Sequence, residues 1–240
     1  MYNLKGSLNK IVRCFSSFLL LAVFGAGSIV AQKNIHWGIK GTPGSYWATS
    51  MTTGTVDNGN KFTMGCGGIL ELGLSNHFSI VTGIDLVSTA VKYQTYTIDY
   101  SSINTTSESV IRYLQVPLFY KMKTEPLGRI KFFGQFGFGT GFAVSAKNSS
   151  SSVVNFRSPG HTFTGVNNDS DTKTTNLFLF RESLLLGIGF EFKISGNTSL
   201  IFGLNYDNGL TPVLRDTDAS GTNNPKLKSC GIGATAGILF

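Results

Sequence analysis

The sequence predicts an all-β fold: an eight-stranded antiparallel up-and-down transmembrane β-barrel that follows a cleaved signal peptide. Three observations carry this. From Ile130 to Ser145, apolar residues (Ile130, Phe132, Phe136, Phe138, Phe142, Val144) alternate with mostly small or polar ones. Successive side chains of a strand point to opposite faces, so the period is that of a strand. The composition agrees, with 29 Gly and 19 Phe against only 14% charged residues. Finally, short turns and long polar connections alternate along the chain, as they do between the strands of an outer-membrane barrel.

The N-terminal segment reads as a secretory signal. Lys5, Lys10 and Arg13 form a basic region, Phe15–Val23 an apolar one, and Val30-Ala31 before Gln32 a cleavage site. The expected division is therefore residues 1–31 as signal peptide and 32–240 as barrel. Losing the signal lowers the formal net charge from +7 to about +4. The remaining basic residues are scattered, which excludes nucleic acid as a partner class. Cys66 and Cys230 remain, on non-adjacent segments, and are expected free and outward-facing.

Eight alternating segments follow. The first, Ile35–Gly41, places Ile35, Trp37 and Ile39 on one face. The second, Lys61–Leu74, turns Phe62, Met64, Cys66, Leu70 and Leu72 outward. The third, Phe78–Tyr93, does so with Phe78, Ile80, Ile84, Leu86 and Ala90. The fourth, Val110–Lys123, presents Leu114, Val116, Leu118, Tyr120 and Met122, and the fifth is Ile130–Ser145. The sixth, Leu177–Ile194, places Phe178, Phe180, Leu184, Leu186, Ile188, Phe190 and Phe192 outward. The seventh, Thr198–Leu210, and the eighth, Lys226–Phe240, complete the set.

Leu74–His77, Thr124–Gly128 and Ser195–Asn197 read as turns from their Ser-Asn, Glu-Pro-Leu-Gly and Ser-Gly-Asn sequences. Thr42–Asn60, Gln94–Ser109, Asn148–Asn176 and Thr211–Pro225 read as extracellular loops. A soluble eight-stranded barrel would line its interior with the apolar face and charge its exterior. Here the second face carries glycines (Gly65, Gly137, Gly139, Gly187, Gly189, Gly203) beside Glu71, Asp85, Gln115, Lys121, Lys131, Gln135, Arg181, Glu191, Lys193, Asn205 and Asp207. Small residues beside a few long polar ones suit a narrow lumen. The apolar face then meets lipid of the outer membrane of a Gram-negative bacterium.

Glu71, Asp85, Lys131 and Arg181 are expected to form a polar network in that lumen, because isolated charges in so narrow a space are costly. Cross-lumen pairing would plug the barrel and a hydrated path would make a narrow channel. Aromatics near the strand ends, Trp37, Tyr120, Phe132, Phe192 and Phe240 at one and Tyr93, Phe142, Phe178 and Tyr206 at the other, are expected as interfacial girdles. Pro117, which cannot donate to a ladder, implies a bulge or a missing bond.

The segment Tyr113-Leu114-Gln115-Val116-Pro117-Leu118-Phe119-Tyr120-Lys121 resembles the Tyr-Leu-Glu/Gln-Ile/Val-Pro-Leu-Leu-x-Lys stretch of PorT-like outer-membrane barrels of Bacteroidetes-type bacteria. In that family a Gly-rich aromatic strand follows, as Phe132–Phe142 does here. The resemblance implies the barrel fold and, for PorT itself, a role in type IX secretion. Ile238 and the terminal Phe240 resemble the signal read by the barrel-assembly machinery, with Thr235 where a stricter signal has Gly.

No catalytic, metal or cofactor site is expected. His36, His77 and His161 are the three histidines. No nucleophile motif surrounds them, and no paired His or Cys spacing suits zinc. Asn167-x-Asp169-x-Asp171 has the start of a calcium loop but lacks its Gly and distal Glu. The expected function is therefore non-enzymatic: membrane-embedded structure, or interaction through extracellular loops. A narrow porin-like channel and a PorT-like secretion or assembly component are the alternatives. Expected partners are outer-membrane lipid, the assembly machinery during insertion, and secretion-system or surface proteins.

Overall fold

The computed structural model describes the backbone of residues 35–50, 55–57, 59–98, 101–158, 161–169, 178–213 and 227–240, and the side chains of 35–49, 59–92, 108–147, 178–213 and 227–240. The expected signal segment lies outside the described residues. Ten strands occur in chain order: β1 Ile35–Ser50, β2 Thr55–Asp57, β3 Asn60–Gly73, β4 Phe78–Ile98, β5 Ser101–Lys123, β6 Ile130–Ser158, β7 His161–Asp169, β8 Phe180–Ser195, β9 Thr198–Gly209 and β10 Leu227–Leu239. Eight of them run β4-β3-β1-β10-β9-β8-β6-β5, and pairing of β5 with β4 closes the ring. The expected eight-stranded antiparallel barrel is present. Closure leaves no edge whose backbone groups would need water. The ring also closes at Trp37 and Phe240, where backbone N–H and carbonyl bonds run both ways, at 3.3 and 2.8 Å.

The outer wall follows the alternation. Trp37, Ile39, Phe62, Met64, Ile84, Leu118, Phe138, Ile188 and Leu204 are exposed, while the residues between them turn inward. Aromatic pairs line the rims. Trp37 and Phe240 lie 4.8 Å apart, Phe78 and Tyr120 5.7 Å, and Phe142 and Phe180 4.6 Å. The inner wall needs glycine where strands crowd: a Cβ on Gly137 would stand 2.0 Å from the Leu118 carbonyl oxygen.

Five expectations about boundaries change. The first strand does not stop at Gly41. Gly41-Thr42-Pro43-Gly44 reads as a turn, yet β1 passes straight through it. The ladder with β10 has no pairs at Thr42 and Pro43, then resumes in the same register at Gly44↔Gly233. The Thr42 and Thr235 hydroxyls, 3.1 Å apart, join the strands across the gap. Two of the expected loops are strand as well. β4 and β5 stay paired up to Ile98↔Ser102, and β6 extends to Ser158 with β7 folding back on it from Ser158↔His161 to Ser150↔Asp169. A hairpin needs only its partner's backbone, so polar Ser/Thr-rich sequence continues as strand beyond the apolar wall. β8 begins at Phe180 rather than Leu177, and β10 at Leu227.

Pro117 interrupts the ladder without a bulge. β4 and β5 pair at Thr82↔Leu118 and again at Asp85↔Gln115, with no pairs between and no register change. The Thr82 hydroxyl donates to the Pro117 carbonyl at 2.8 Å. The bulge lies elsewhere: Tyr113 pairs with Ala143 but Arg112 with Ser145, leaving Val144 extra.

Gly137→Val should prevent formation of the compact barrel, because its Cβ meets backbone that cannot move. Gly134→Val on the same strand meets no atom within 4 Å and should fold as the native chain does. Yields of folded protein after refolding into detergent, read by circular dichroism, separate the two.

Candidate functional site

The site with the most chemistry is the lumen. Its layers can be read down the inward face of β5: Ile111, Tyr113, Gln115, Pro117, Phe119, Lys121, Lys123. Apolar and charged levels alternate, because a barrel of this size has room inside only for side chains.

At the periplasmic end, Lys121 bridges across the lumen. Its ammonium donates to Glu71 Oε2 at 3.0 Å and also to Glu191. Lys123 joins the same two carboxylates, Glu191 at 3.0 Å. Lys121 Nζ further stands 4.3 Å from the centre of the Phe133 ring. Two lysines and two glutamates thus neutralise one another where Glu71 is only 1% exposed. Next comes an apolar level of Ile69, Val81, Phe119, Phe133, Leu185 and Ile201.

A cavity of about 100 Å³ opens against this level, where Lys40, Thr42, Asp85, Gln135, Asn205 and Asp207 supply polar lining beside Ile69, Phe119 and Leu185. Lys40 Nζ reaches Asp85 Oδ2 at 2.8 Å across the intervening strand β3. Gln135 donates to Asn205 at 3.2 Å, and Asn205 donates to Thr235 at 2.5 Å.

The next level is organised by Arg181, fully buried at 0% exposure. Its Nη2 and Nη1 grip Asp207 at 2.7 and 3.1 Å, and its Nε donates to Ser229 at 3.0 Å. The planar guanidinium fork suits this bidentate pairing. Tyr46 adds a hydroxyl to Asp207 at 3.3 Å. An extracellular apolar cap of Ala48, Val91, Ile111, Tyr113, Val213 and Leu227 lies above.

Of the four residues expected to form one network, Glu71, Asp85 and Arg181 are buried inside, but each belongs to a different cluster. Lys131 stands apart. It is half-buried near the periplasmic mouth, and the carboxylate of its register partner Glu191 is already taken by Lys121 and Lys123. Lys40, Lys123 and Tyr46 were not singled out beforehand. Parity alone places Lys40 and Lys123 inward, and Tyr46 lies in the part of β1 whose sequence reads as loop. Ile238 is paired between Ile39 and Leu200, and Phe240 packs on Trp37 at the rim.

Cys66 is exposed on the outer wall. Cys230 has outward parity but is buried, its thiol 3.2 Å from Asn208 Oδ1, and both are free. His36 and His77 lie at the periplasmic rim, His77 2.7 Å from Glu125. The side chains of His161, Asn167, Asp169 and Asp171 lie outside the described residues. Among the described residues no cluster of three metal-ligating side chains occurs.

Residues 30–215 match the family described as "Outer membrane protein beta-barrel domain". The chain belongs to this family. Its place is the outer membrane, and the exposed apolar wall is the surface that meets lipid. Among solved structures it is similar to Neisserial surface protein A (10% identity, 85% of this chain and 95% of that one, TM-score 0.41). It is also similar to OprG of Pseudomonas aeruginosa (11%, 85% and 95%, TM-score 0.43) and to Ail of Yersinia pestis (11%, 86% and 97%, TM-score 0.32). No curated protein matches.

Arg181→Met should destabilise the family member by about 3–5 kcal/mol, since it strands the Asp207 carboxylate in the interior. The double change Arg181→Met/Asp207→Leu should recover most of that loss. Urea unfolding in lipid vesicles, followed by tryptophan fluorescence, gives both values.

Proposed function

We propose that this outer-membrane barrel is non-conducting and non-enzymatic, and that it works through its extracellular hairpins, which meet surface or secretion-system partners. The observation that supports the first half is the layered lumen. Apolar levels at two heights and buried ion pairs fill it around a cavity of about 100 Å³. An ion crossing it would have to part both apolar layers and compete with the pairs already formed.

The second half is supported by strand length. A membrane crossing takes about 9–11 tilted residues, whereas β6 has 29 and β5 has 23. The surplus projects as paired β-hairpin on the extracellular side. Backbone-paired hairpins hold their shape at lower entropic cost than open loops, which favours recognition. Insertion would use the assembly machinery, with the Ile238 and Phe240 strand as its signal.

The resemblance of Tyr113–Lys121 to PorT-like barrels supports the narrower alternative of a secretion-machine component. Pull-down from native membranes distinguishes it: recovery with other secretion proteins favours that role, and recovery alone counts against it.

Refolded protein in planar bilayers should show no reproducible current steps. Stepwise openings in the native chain would replace the plugged-barrel reading by the narrow channel.

A further inference from the structure

The bulge at Val144 has a consequence for charge. Below it, even-numbered residues of β6 face outward: Phe136, Phe138 and Phe142 are exposed. Above it the parity inverts. Ala143 and Ala146 both pack against the internal apolar cap, and Ser145 and Lys147 are exposed. In unbroken alternation through Val144, Lys147 would point inward beside the buried Ile111. With the bulge, it stands on the same outer face as Arg112.

The register sets their spacing. Arg112 pairs with Ser145, and Lys147 pairs with Val110, two residues from Arg112 on β5. Diagonal neighbours on one face have Cβ atoms about 7–8 Å apart, so two long side chains can converge on one anion. Both cations are exposed, and among the described residues neither side chain has a hydrogen bond or an ion pair. The nearest acid on this face, Glu108, is taken by Lys61. Two like charges so placed repel unless an anion lies between them.

The position relative to lipid selects the anion. Leu114 and Phe142, register partners, lie one outward step below Arg112, and Phe142 packs on Phe180 in the extracellular aromatic rim. Val144 beside them is exposed. Apolar wall for acyl chains therefore passes directly into a pair of free cations at headgroup height.

We propose that Arg112 and Lys147, brought to one face by the Val144 bulge, bind the phosphate headgroup of an outer-leaflet lipid whose acyl chains lie on the Leu114 and Phe142 wall. The guanidinium and the ammonium supply charge-assisted hydrogen bonds to the phosphate oxygens, and the wall supplies chain burial. The site is independent of whether the lumen conducts.

The full chain, refolded in a maltoside detergent, is titrated with bisphosphorylated lipid A, with an uncharged galactolipid, and with inorganic phosphate, and bound lipid is read by native mass spectrometry. The native protein should retain lipid A in preference to the galactolipid. Arg112→Ala/Lys147→Ala should weaken lipid A binding ~10-fold or more, the loss expected for two charge-assisted bonds. Arg112→Lys/Lys147→Arg should keep it, and Lys193→Ala at the opposite rim should change nothing. Native-like retention by the Ala/Ala variant, or equal retention of the galactolipid, would overturn the proposal. Displacement of lipid A by inorganic phosphate at equal concentration would overturn the lipid assignment in favour of a free anion.

Discussion

Every backbone N–H and C=O that crosses a membrane must find a partner within the protein, because hydrocarbon offers none. Closing the sheet through β4 and β5, and through β1 and β10, meets that demand. The rest of the structure is arranged around it. The two prolines in the wall show how far the requirement bends. Pro43 and Pro117 each remove rungs from a ladder without shifting its register, and a threonine hydroxyl spans each gap, Thr42 to Thr235 and Thr82 to the Pro117 carbonyl.

Closure with eight strands makes the interior narrow, and narrowness dictates its chemistry. Glycine lines the places where strands approach, and long charged residues fill the spaces glycine leaves. Such residues are tolerated because each is neutralised on the spot: Lys121 and Lys123 by Glu71 and Glu191, Lys40 by Asp85, Arg181 by Asp207. The barrel thereby satisfies these interior charges from within. What it presents to the outside depends on its extracellular hairpins and on the face it turns to lipid. A bulge at Val144 shapes that face by keeping a lysine outside where unbroken alternation would turn it in.

Much of this was legible in the chain. Alternation marked the eight wall strands, because lipid outside and a tight lumen inside impose opposite demands on successive residues. The same parity placed Glu71, Asp85, Gln115, Lys121, Arg181, Glu191, Asn205 and Asp207 inside. Where apolar alternation fades, at Thr42–Ser50, Gln94–Ile98 and Asn148–Ser158, the sequence reads as loop and the structure has strand. Polar and turn-forming residues are frequent in these stretches, and the strand there is carried by a neighbour's hydrogen bonds, which the local pattern does not show.

The sequence by itself determined the fold class, the membrane-facing side and the parity of most side chains, since these follow from local periodicity. Only the tertiary structure decided which inward charge meets which. Lys121 reaches Glu71 and Glu191 from strands that are not its neighbours, Lys131 is left out, and Lys147 is turned outward by a bulge opposite Arg112. Pairing across a closed barrel depends on register and height around the whole ring, and no stretch of a single strand contains that information.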